Sequence, residues 1–265
     1  MSWIFELPNW FQCLLVMSLI VGGSLVGQVL LQKPIRRFFS QTLDDHNEAV
    51  GAFIQAYGVF YGITLGLVAV AAWENYEKCC DLVEYEATAF GAFARDISVL
   101  PKPLSGEIAI ELEKYLDHLI EHAWSESQAG INPPETVFRL RTIHHRLAQF
   151  QPRDARETVL FHEALDQLNS WTEKRSIRIA SLDTGLPAIL WWILILGAVL
   201  NILMLYTVRI EPLRSHLILT SMIACFIGLM IFLILIMDHP YVGDFRVEPD
   251  AFKMLKSFWK ASQAG

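Results

Sequence analysis

Four membrane-length stretches without a charged side chain constrain this sequence more than any other feature. Residues 10–32, 49–73, 184–208 and 217–237 contain no Asp, Glu, Lys or Arg, and each is 21 to 25 residues long. A hydrocarbon core of about 30 Å is crossed by about 20 helical residues that rise about 1.5 Å each. Every stretch can therefore span a bilayer, the fourth as a span over 215–237. The sequence predicts an all-α, four-span integral membrane protein.

The region between the second and third spans, residues 74–183, is predicted to be a helical extramembrane domain. It carries 12 basic and 19 acidic side chains. Apolar residues such as Leu82, Tyr85, Ala89 and Phe93 recur at helical spacing, and prolines separate the helices. These helices are predicted at 74–99, 105–128, 134–149 and 154–183. We expect the first to continue the second span and the last to run into the third, with a C-terminal tail over 238–265.

Composition makes several functions improbable. The net charge is −7, and no basic tail or interleaved basic and aromatic face is present, so a nucleic-acid partner is not expected. No glycine-rich phosphate loop with a following lysine occurs, and no cofactor is predicted. The four cysteines do not make a disulfide framework, because Cys13 and Cys225 lie in spans while Cys79 and Cys80 are adjacent.

The second span has a glycine face. Gly58, Gly62 and Gly66 recur every fourth residue, and the first span repeats this spacing at Gly23 and Gly27. Small residues at this spacing let helices approach closely in lipid. Tight packing between the first two spans is the favoured interpretation of this pattern.

An aromatic face lies beside these glycines, formed by Phe53, Tyr57 and Tyr61. A ring of such side chains in an oligomer could form a constriction that gates by dewetting. The three residues are therefore candidates for lining a pore. Asn201 in the third span is best interpreted as an interhelical hydrogen-bonding group. The spans contain no Asp, Glu, Lys or Arg, and His216 lies only at a span end, so a charged transport pathway is disfavoured.

His118, Glu121 and His122 spell H-x-x-E-H, the order found in inverted zinc metallopeptidases. A zinc site needs a third ligand. The candidates for it are His162, Glu163 and Asp166. A solvated helix face explains the same pattern more simply, so no catalytic residue and no metal ligand is assigned, and an enzyme is not predicted.

A turn-rich segment follows the fourth span and contains Asp238, Pro240 and Gly243. Four acids occur within thirteen residues: Asp238, Asp244, Glu248 and Asp250. Several carboxylates could bind a hard cation near a pore mouth. The favoured alternative is that Asp238 caps backbone amides at a tight turn.

These segments resemble the bestrophin-like membrane proteins of bacteria over nearly the whole chain. The resemblance rests on Gly58-Val59-Phe60-Tyr61-Gly62 and Gly66, on Val70-Ala71-Ala72-Trp73-Glu74, on Glu86-Ala87, and on Asp238, Pro240, Tyr241 and Gly243. Bestrophins are pentameric anion channels with four spans per subunit. The resemblance implies a homo-oligomer in a lipid bilayer that conducts inorganic anions, with Phe53, Tyr57 and Tyr61 at the positions of the hydrophobic neck. Calcium is not carried over, because the acids after the fourth span are dispersed.

The charges beside the spans bear on localisation, which is predicted to be the bacterial cytoplasmic membrane. Lys33, Arg36 and Arg37 in the first short loop favour a cytoplasmic loop and hence an extracytoplasmic helical domain. Lysines near the C-terminus and the bestrophin resemblance favour the opposite orientation. Besides a channel, the sequence allows a non-conducting membrane scaffold or sensor whose helical domain binds a partner.

Overall fold

The computed structural model describes residues 7–38, 43–128 and 134–264, and every regular element in these ranges is helical. The helices are α1 (Asn9–Phe38), α2 (Leu43–Ser98), α3 (Leu104–His118), α4 (Trp124–Gln128), α5 (Pro134–Ala148), α6 (Ala155–Ala180), α7 (Ala188–Thr207), α8 (Leu213–Met237) and α9 (Asp250–Ala264). A π-helical turn, Leu119–Ala123, joins α3 to α4, and a 3-10 turn, Ser181–Asp183, follows α6. The predicted all-α fold is confirmed.

Four of these helices are long and apolar enough to cross a membrane. The candidate spans are Asn9–Ile35, His46–Ser98, Ala188–Thr207 and Leu213–Met237. Large apolar side chains on them, such as Phe60 and Trp192, are exposed, as lipid-facing positions require. The predicted four-span class is therefore confirmed. Residues 39–42 of the predicted first loop, and Gly265, lie outside the described residues.

The chain forms two compact units. The first comprises Met1–Tyr76 and Gly185–Arg246, and the second comprises Glu77–Thr184 and Val247–Gly265. The boundary falls inside α2, which continues without a break from the second candidate span, as predicted. The expected continuity of α6 into the third span is wrong. Gly185 and Pro187 follow the 3-10 turn, and Pro187, which has no backbone N–H to donate, is the N-cap of α7.

In the first unit, α1 packs along α8 and α7, and the two strongly apolar helices α7 and α8 pack on each other. The backbone N–H of Asn9, at the start of α1, donates to Asp244 after the end of α8 at 3.0 Å. A side chain placed at Gly228 in α8 would lie 2.9 Å from the Met17 sulfur in α1. These contacts make α1 and α8 antiparallel and closely packed.

The second unit has an aromatic core. Phe90 of α2 contacts the rings of Tyr115 in α3 and Trp171 in α6, with centroids 5.9 and 5.0 Å apart. The α9 helix joins this core through Phe252, which is fully buried, and through the Trp259 ring beside Phe90. Packing of these large side chains supplies the hydrophobic stabilisation that a solvated helical bundle needs.

Candidate functional site

Two tyrosines of α2 face α7 in the first unit. The Tyr61 hydroxyl donates to the carbonyl oxygen of Leu194 at 3.0 Å, and the Tyr57 hydroxyl donates to the carbonyl oxygen of Gly197 at 3.2 Å. Their rings stack with centroids 6.4 Å apart. Because an unpaired hydroxyl is costly in an apolar surrounding, these bonds fix the rotation of α2 relative to α7.

Gly197 makes this close approach possible. A Cβ atom at this position would lie 2.6 Å from Cδ2 of Tyr61, far inside normal van der Waals contact. The sequence offered one signal for it, since Gly197 is the single glycine in the twenty-residue α7 helix. Without knowledge of which helix α2 contacts, that signal could not be interpreted.

The placement of the tyrosines bears on their predicted role in lining a pore. Tyr61 is 6% exposed within one chain and Tyr57 is half-buried, whereas Phe53 is 68% exposed. Tyr61 is thus engaged with α7 within its own chain, while Tyr57 is partly and Phe53 largely accessible. The role of the three residues in lining a pore stays a prediction.

The opposite side of α2 carries small aliphatic side chains. We call Ala56, Val59, Ile63 and Val70 the aliphatic face, and all four are exposed. At 100° per residue they lie about 140–200° around the helix from Tyr61. Their spacing of three, four and seven residues is that of a helix seam that meets neighbouring helices. None of the first unit's described residues covers this face.

The glycine face of α2 is also open within one chain. A Cβ atom at Gly58, Gly62 or Gly66 would meet nothing within 4 Å, and the same holds for Gly23 in α1. Gly27 differs, because a Cβ there would lie 2.8 Å from the Tyr206 hydroxyl of α7. The predicted close packing of the first two spans is therefore not found at these glycines. Their role in helix packing stays a prediction.

Asp238 joins the end of α8 to the start of α7. One carboxylate oxygen accepts a hydrogen bond from the backbone N–H of Leu186, and the other accepts from the Trp191 indole at 2.9 Å. The carboxylate is buried, so these charge-assisted bonds offset its desolvation. These contacts fit the capping interpretation.

The rest of this segment is a turn. Gly243 has a φ of 86°, a left-handed conformation that favours glycine, and the Tyr241 side chain nearby is buried. The other three acids have partners in the chain: Asp244 accepts from the backbone N–H of Asn9, while Glu248 and Asp250 both pair with Lys253. No group of three metal-binding side chains is found in the part of the chain that the structure describes.

The H-x-x-E-H stretch lies in the second unit, at the π-helical turn. His118 and His122 stack with ring centroids 5.4 Å apart. Glu121 and Asp117 bind the ammonium group of Lys256 in α9, at 3.3 and 2.7 Å. These acids therefore help to hold α9 to the bundle, and the pattern has an explanation that needs no metal.

A buried polar network that the sequence did not reveal lies in the second unit. Glu86 of α2 forms an ion pair with Arg178 of α6, and both side chains are inaccessible to solvent. The Tyr115 hydroxyl donates to Glu86 at 3.4 Å and accepts from Arg175 at 3.2 Å. Arg178 also stacks over the Trp124 ring at 4.9 Å. Burial, and then the Glu86 charge, raise the pKa of Tyr115, so the phenol stays neutral.

Comparison with known proteins places these features in a family. The bestrophin-like domain model matches residues 19–252. A point-mutated bacterial bestrophin homologue from Klebsiella pneumoniae is similar in structure, with a TM-score of 0.65 at 15% identity over 93% of this chain and 98% of that one. A membrane-protein variant gives the same TM-score at 14% identity over 94% and 96% of the two chains.

No curated protein matches the sequence. At these low identities the structural likeness establishes the fold alone, whereas the domain model covers most of the chain. The four candidate spans, the helical region between the second and third, and the turn after the fourth agree with that match. The chain belongs to the bestrophin-like family.

Proposed function

We propose that the protein is a subunit of a homo-oligomeric channel in the bacterial cytoplasmic membrane, that it conducts inorganic anions, and that α2 lines the pore. The proposal is supported by the bestrophin-like domain over residues 19–252 and by the similarity to the bacterial bestrophin homologue. Both make a channel more credible than a scaffold, but neither identifies the lining helix.

The observation that carries the choice of helix is the aliphatic face of α2. Tyr57 and Tyr61 on the other side of the same helix donate hydrogen bonds to α7, and these bonds fix the rotation of α2 within its own subunit. That rotation turns Ala56, Val59, Ile63 and Val70 away from the rest of the first unit. Copies of α2 arranged around an axis would form a narrow aliphatic passage, the kind of constriction that closes by dewetting.

The charge-free spans agree with this mechanism. Because the second span carries no Asp, Glu, Lys or Arg, an ion would cross without a fixed charge to trap it. Passage would then depend on hydration of the aliphatic constriction. A more polar side chain there should lower the cost of hydrating the passage and raise the flux.

The test is chloride flux from vesicles that contain the purified protein. Ile63→Thr should increase the flux, because it replaces an ethyl group on the aliphatic face by a hydroxyl. Leu196→Thr is the matched control, since Leu196 is exposed on α7, away from α2's aliphatic face, and should leave the flux unchanged. A ring-shaped oligomer in detergent is expected alongside.

Silent vesicles for the wild type and both variants, together with a monomer in detergent, would rule out the channel. The remaining class is then a non-conducting scaffold or sensor, which predicts a partner that co-purifies with the helical domain. Equal increases in flux for Ile63→Thr and Leu196→Thr would keep the channel but remove α2's aliphatic face as its lining.

We also propose, from the charges of the first short loop, that the region between the second and third spans is extracytoplasmic. Cys80 is the cysteine to label, because Cys79 is buried while Cys80 is partly exposed. A membrane-impermeant thiol reagent should label Cys80 of the protein in intact cells, and Cys80→Ser should abolish this labelling. Labelling that appears only after lysis would reverse the assigned orientation.

A further inference from the structure

A concave groove in the second unit lies between the start of α3 and the end of α5. It has a volume of about 600 Å³ and is open to solvent. Small-molecule sites commonly have volumes of about 300–1,000 Å³. Four basic side chains line it: Lys102, His145, Arg146 and Arg153. The acid among the lining residues is Glu107.

The positive charge of this groove contrasts with its surroundings. The region over 74–183 carries 12 basic and 19 acidic side chains, yet the groove gathers three permanent cations and one acid. Arg146 is neutralised by its ion pair with Glu107. Among the described residues, no acid lies within ion-pair distance of Lys102 or Arg153. Two cations therefore face the groove without a carboxylate.

The acids nearest to Arg153 in sequence are engaged elsewhere. Asp154 is the N-cap of α6 and accepts from the backbone N–H of Glu157 at 2.7 Å. Glu157 in turn accepts from the backbone N–H of Arg153 at 2.8 Å. This reciprocal capping box satisfies helix-end amides with both carboxylates. It leaves the guanidinium of Arg153 at the edge of the groove and fixes the backbone that carries it.

The opposite wall is also well ordered locally. Lys102 lies between Pro101 and Pro103, whose rings restrict the backbone on both sides. Pro103 is the N-cap of α3 and supplies no side-chain hydrogen bond to the first turn. The Ser105 N–H of that turn already donates to the Pro101 carbonyl at 3.3 Å, so the turn contributes the positive end of the helix dipole beside Lys102.

We propose that this groove binds a small phosphate-bearing anion. Lys102 would supply a point charge and Arg153 a planar pair of donors, beside the positive end of the α3 dipole. Phe150 and the two prolines line the rest of the groove with apolar surface, which suits a ligand that carries an organic part beside its phosphate. The inference is independent of conduction, because binding can be measured on protein in detergent.

The experiment is calorimetric titration of the full-length protein with inorganic pyrophosphate in about 0.15 M salt, where long-range electrostatics are screened. Saturable binding is expected, and the Lys102→Gln/Arg153→Gln double variant should weaken it by at least about tenfold, since charge-assisted phosphate contacts are strong. Arg141→Gln and Arg156→Gln are controls, because both side chains are exposed and outside the groove.

A lipid headgroup offers the same phosphate chemistry as a soluble ligand. Repeating the titration in nanodiscs with anionic or zwitterionic lipid separates the two sources: weaker pyrophosphate binding in anionic discs identifies a headgroup competitor, and equal binding identifies a soluble ligand. The inference is overturned if the wild type shows no saturable binding tighter than about 1 mM. It is equally overturned if the double variant and the controls bind alike.

Discussion

Replacement of Gly197 by alanine is the sharpest test of how α2 packs in the first unit. The new Cβ atom would lie 2.6 Å from Cδ2 of Tyr61, where 3.4–4 Å is ordinary contact. The Tyr61 ring must therefore move by roughly 1 Å, and such overpacking costs about 1–3 kcal/mol. The movement also weakens the hydrogen bonds of Tyr61 and Tyr57 to α7, which contribute about 1 kcal/mol each.

Alanine recovers part of this loss, because it is a better helix former than glycine by about 1 kcal/mol. If both hydrogen bonds are lost, the net effect expected for Gly197→Ala is a loss of about 2–4 kcal/mol in the free energy of unfolding. The assay is equilibrium unfolding of the purified protein by SDS in mixed detergent micelles. Gly22→Ala is the matched control, since a Cβ at Gly22 in α1 would meet nothing within 4 Å.

A second variant separates a specific clash from general damage. Adding Tyr61→Leu to Gly197→Ala removes the ring that the new methyl group meets, so the double variant should regain stability relative to Gly197→Ala alone. If Gly197→Ala is no more destabilising than Gly22→Ala, Tyr61 does not pack against α7. Tyr57 and Tyr61 would then be free to line a pore, as the sequence predicts.

Three further predictions concern buried or paired polar groups. Glu86→Gln should cost about 3–5 kcal/mol in thermal or chemical unfolding, because it leaves the Arg178 charge buried without its carboxylate; a loss below about 1 kcal/mol would contradict a buried ion pair. The hydrogen bond that Lys256 donates to Asp117 raises the pKa of Lys256 above its usual 10.5, so this contact stabilises α9 fully below pH 10.5 and is lost as the pH rises through the raised pKa. The protection of α9 amides from hydrogen exchange, taken relative to the intrinsic exchange rate at each pH, should fall above that pH in the wild type, and the same fall in Lys256→Gln would show that another group is responsible. Gln28→Leu should be neutral or raise the melting temperature, because neither amide atom of this buried side chain has a hydrogen-bond partner among the described residues; a clear loss of stability would mean that Gln28 has a polar partner.

The spans were predictable because a membrane-length helix without charged side chains can lie in the hydrocarbon core of a bilayer. The helices between the second and third spans were predictable for a different reason, since prolines end or begin each of them. The predicted 134–149 and 154–183 segments correspond to α5 and α6 within three residues at each end. Element type and approximate length thus depend on local chemistry, which a single sequence contains.

Rotational register was harder to predict. The helical spacing predicts that Tyr85 lies on the apolar stripe of the helix after the second span, yet it is 55% exposed, while the neighbouring Glu86 is fully buried. A glutamate is placed outside by default, because burying its charge is unfavourable without a partner. Its partner Arg178 lies 92 residues later in the sequence, and the sequence does not show that the two side chains meet.

The same difficulty affected the second span. In a soluble helix the polar face identifies the outside, but a membrane helix is apolar all round, so lipid-facing and protein-facing sides look alike. The sequence does not distinguish a placement of Tyr57 and Tyr61 towards a pore from a placement towards a neighbouring helix. Only their bonds to the carbonyl oxygens of α7 distinguish these alternatives.

Asp238 ties the open end of the α7–α8 hairpin with hydrogen bonds instead of a covalent cross-link. At one end the two helices are joined by the short segment between Thr207 and Leu213, and at the other the carboxylate bonds Leu186 and Trp191. The chain connection holds the two helices together at one end, and at the other they cannot splay without exposing the buried Asp238 carboxylate. This closure favours insertion and withdrawal of the hairpin as one body, so that α1 and α2 assemble against a partner whose shape is already set.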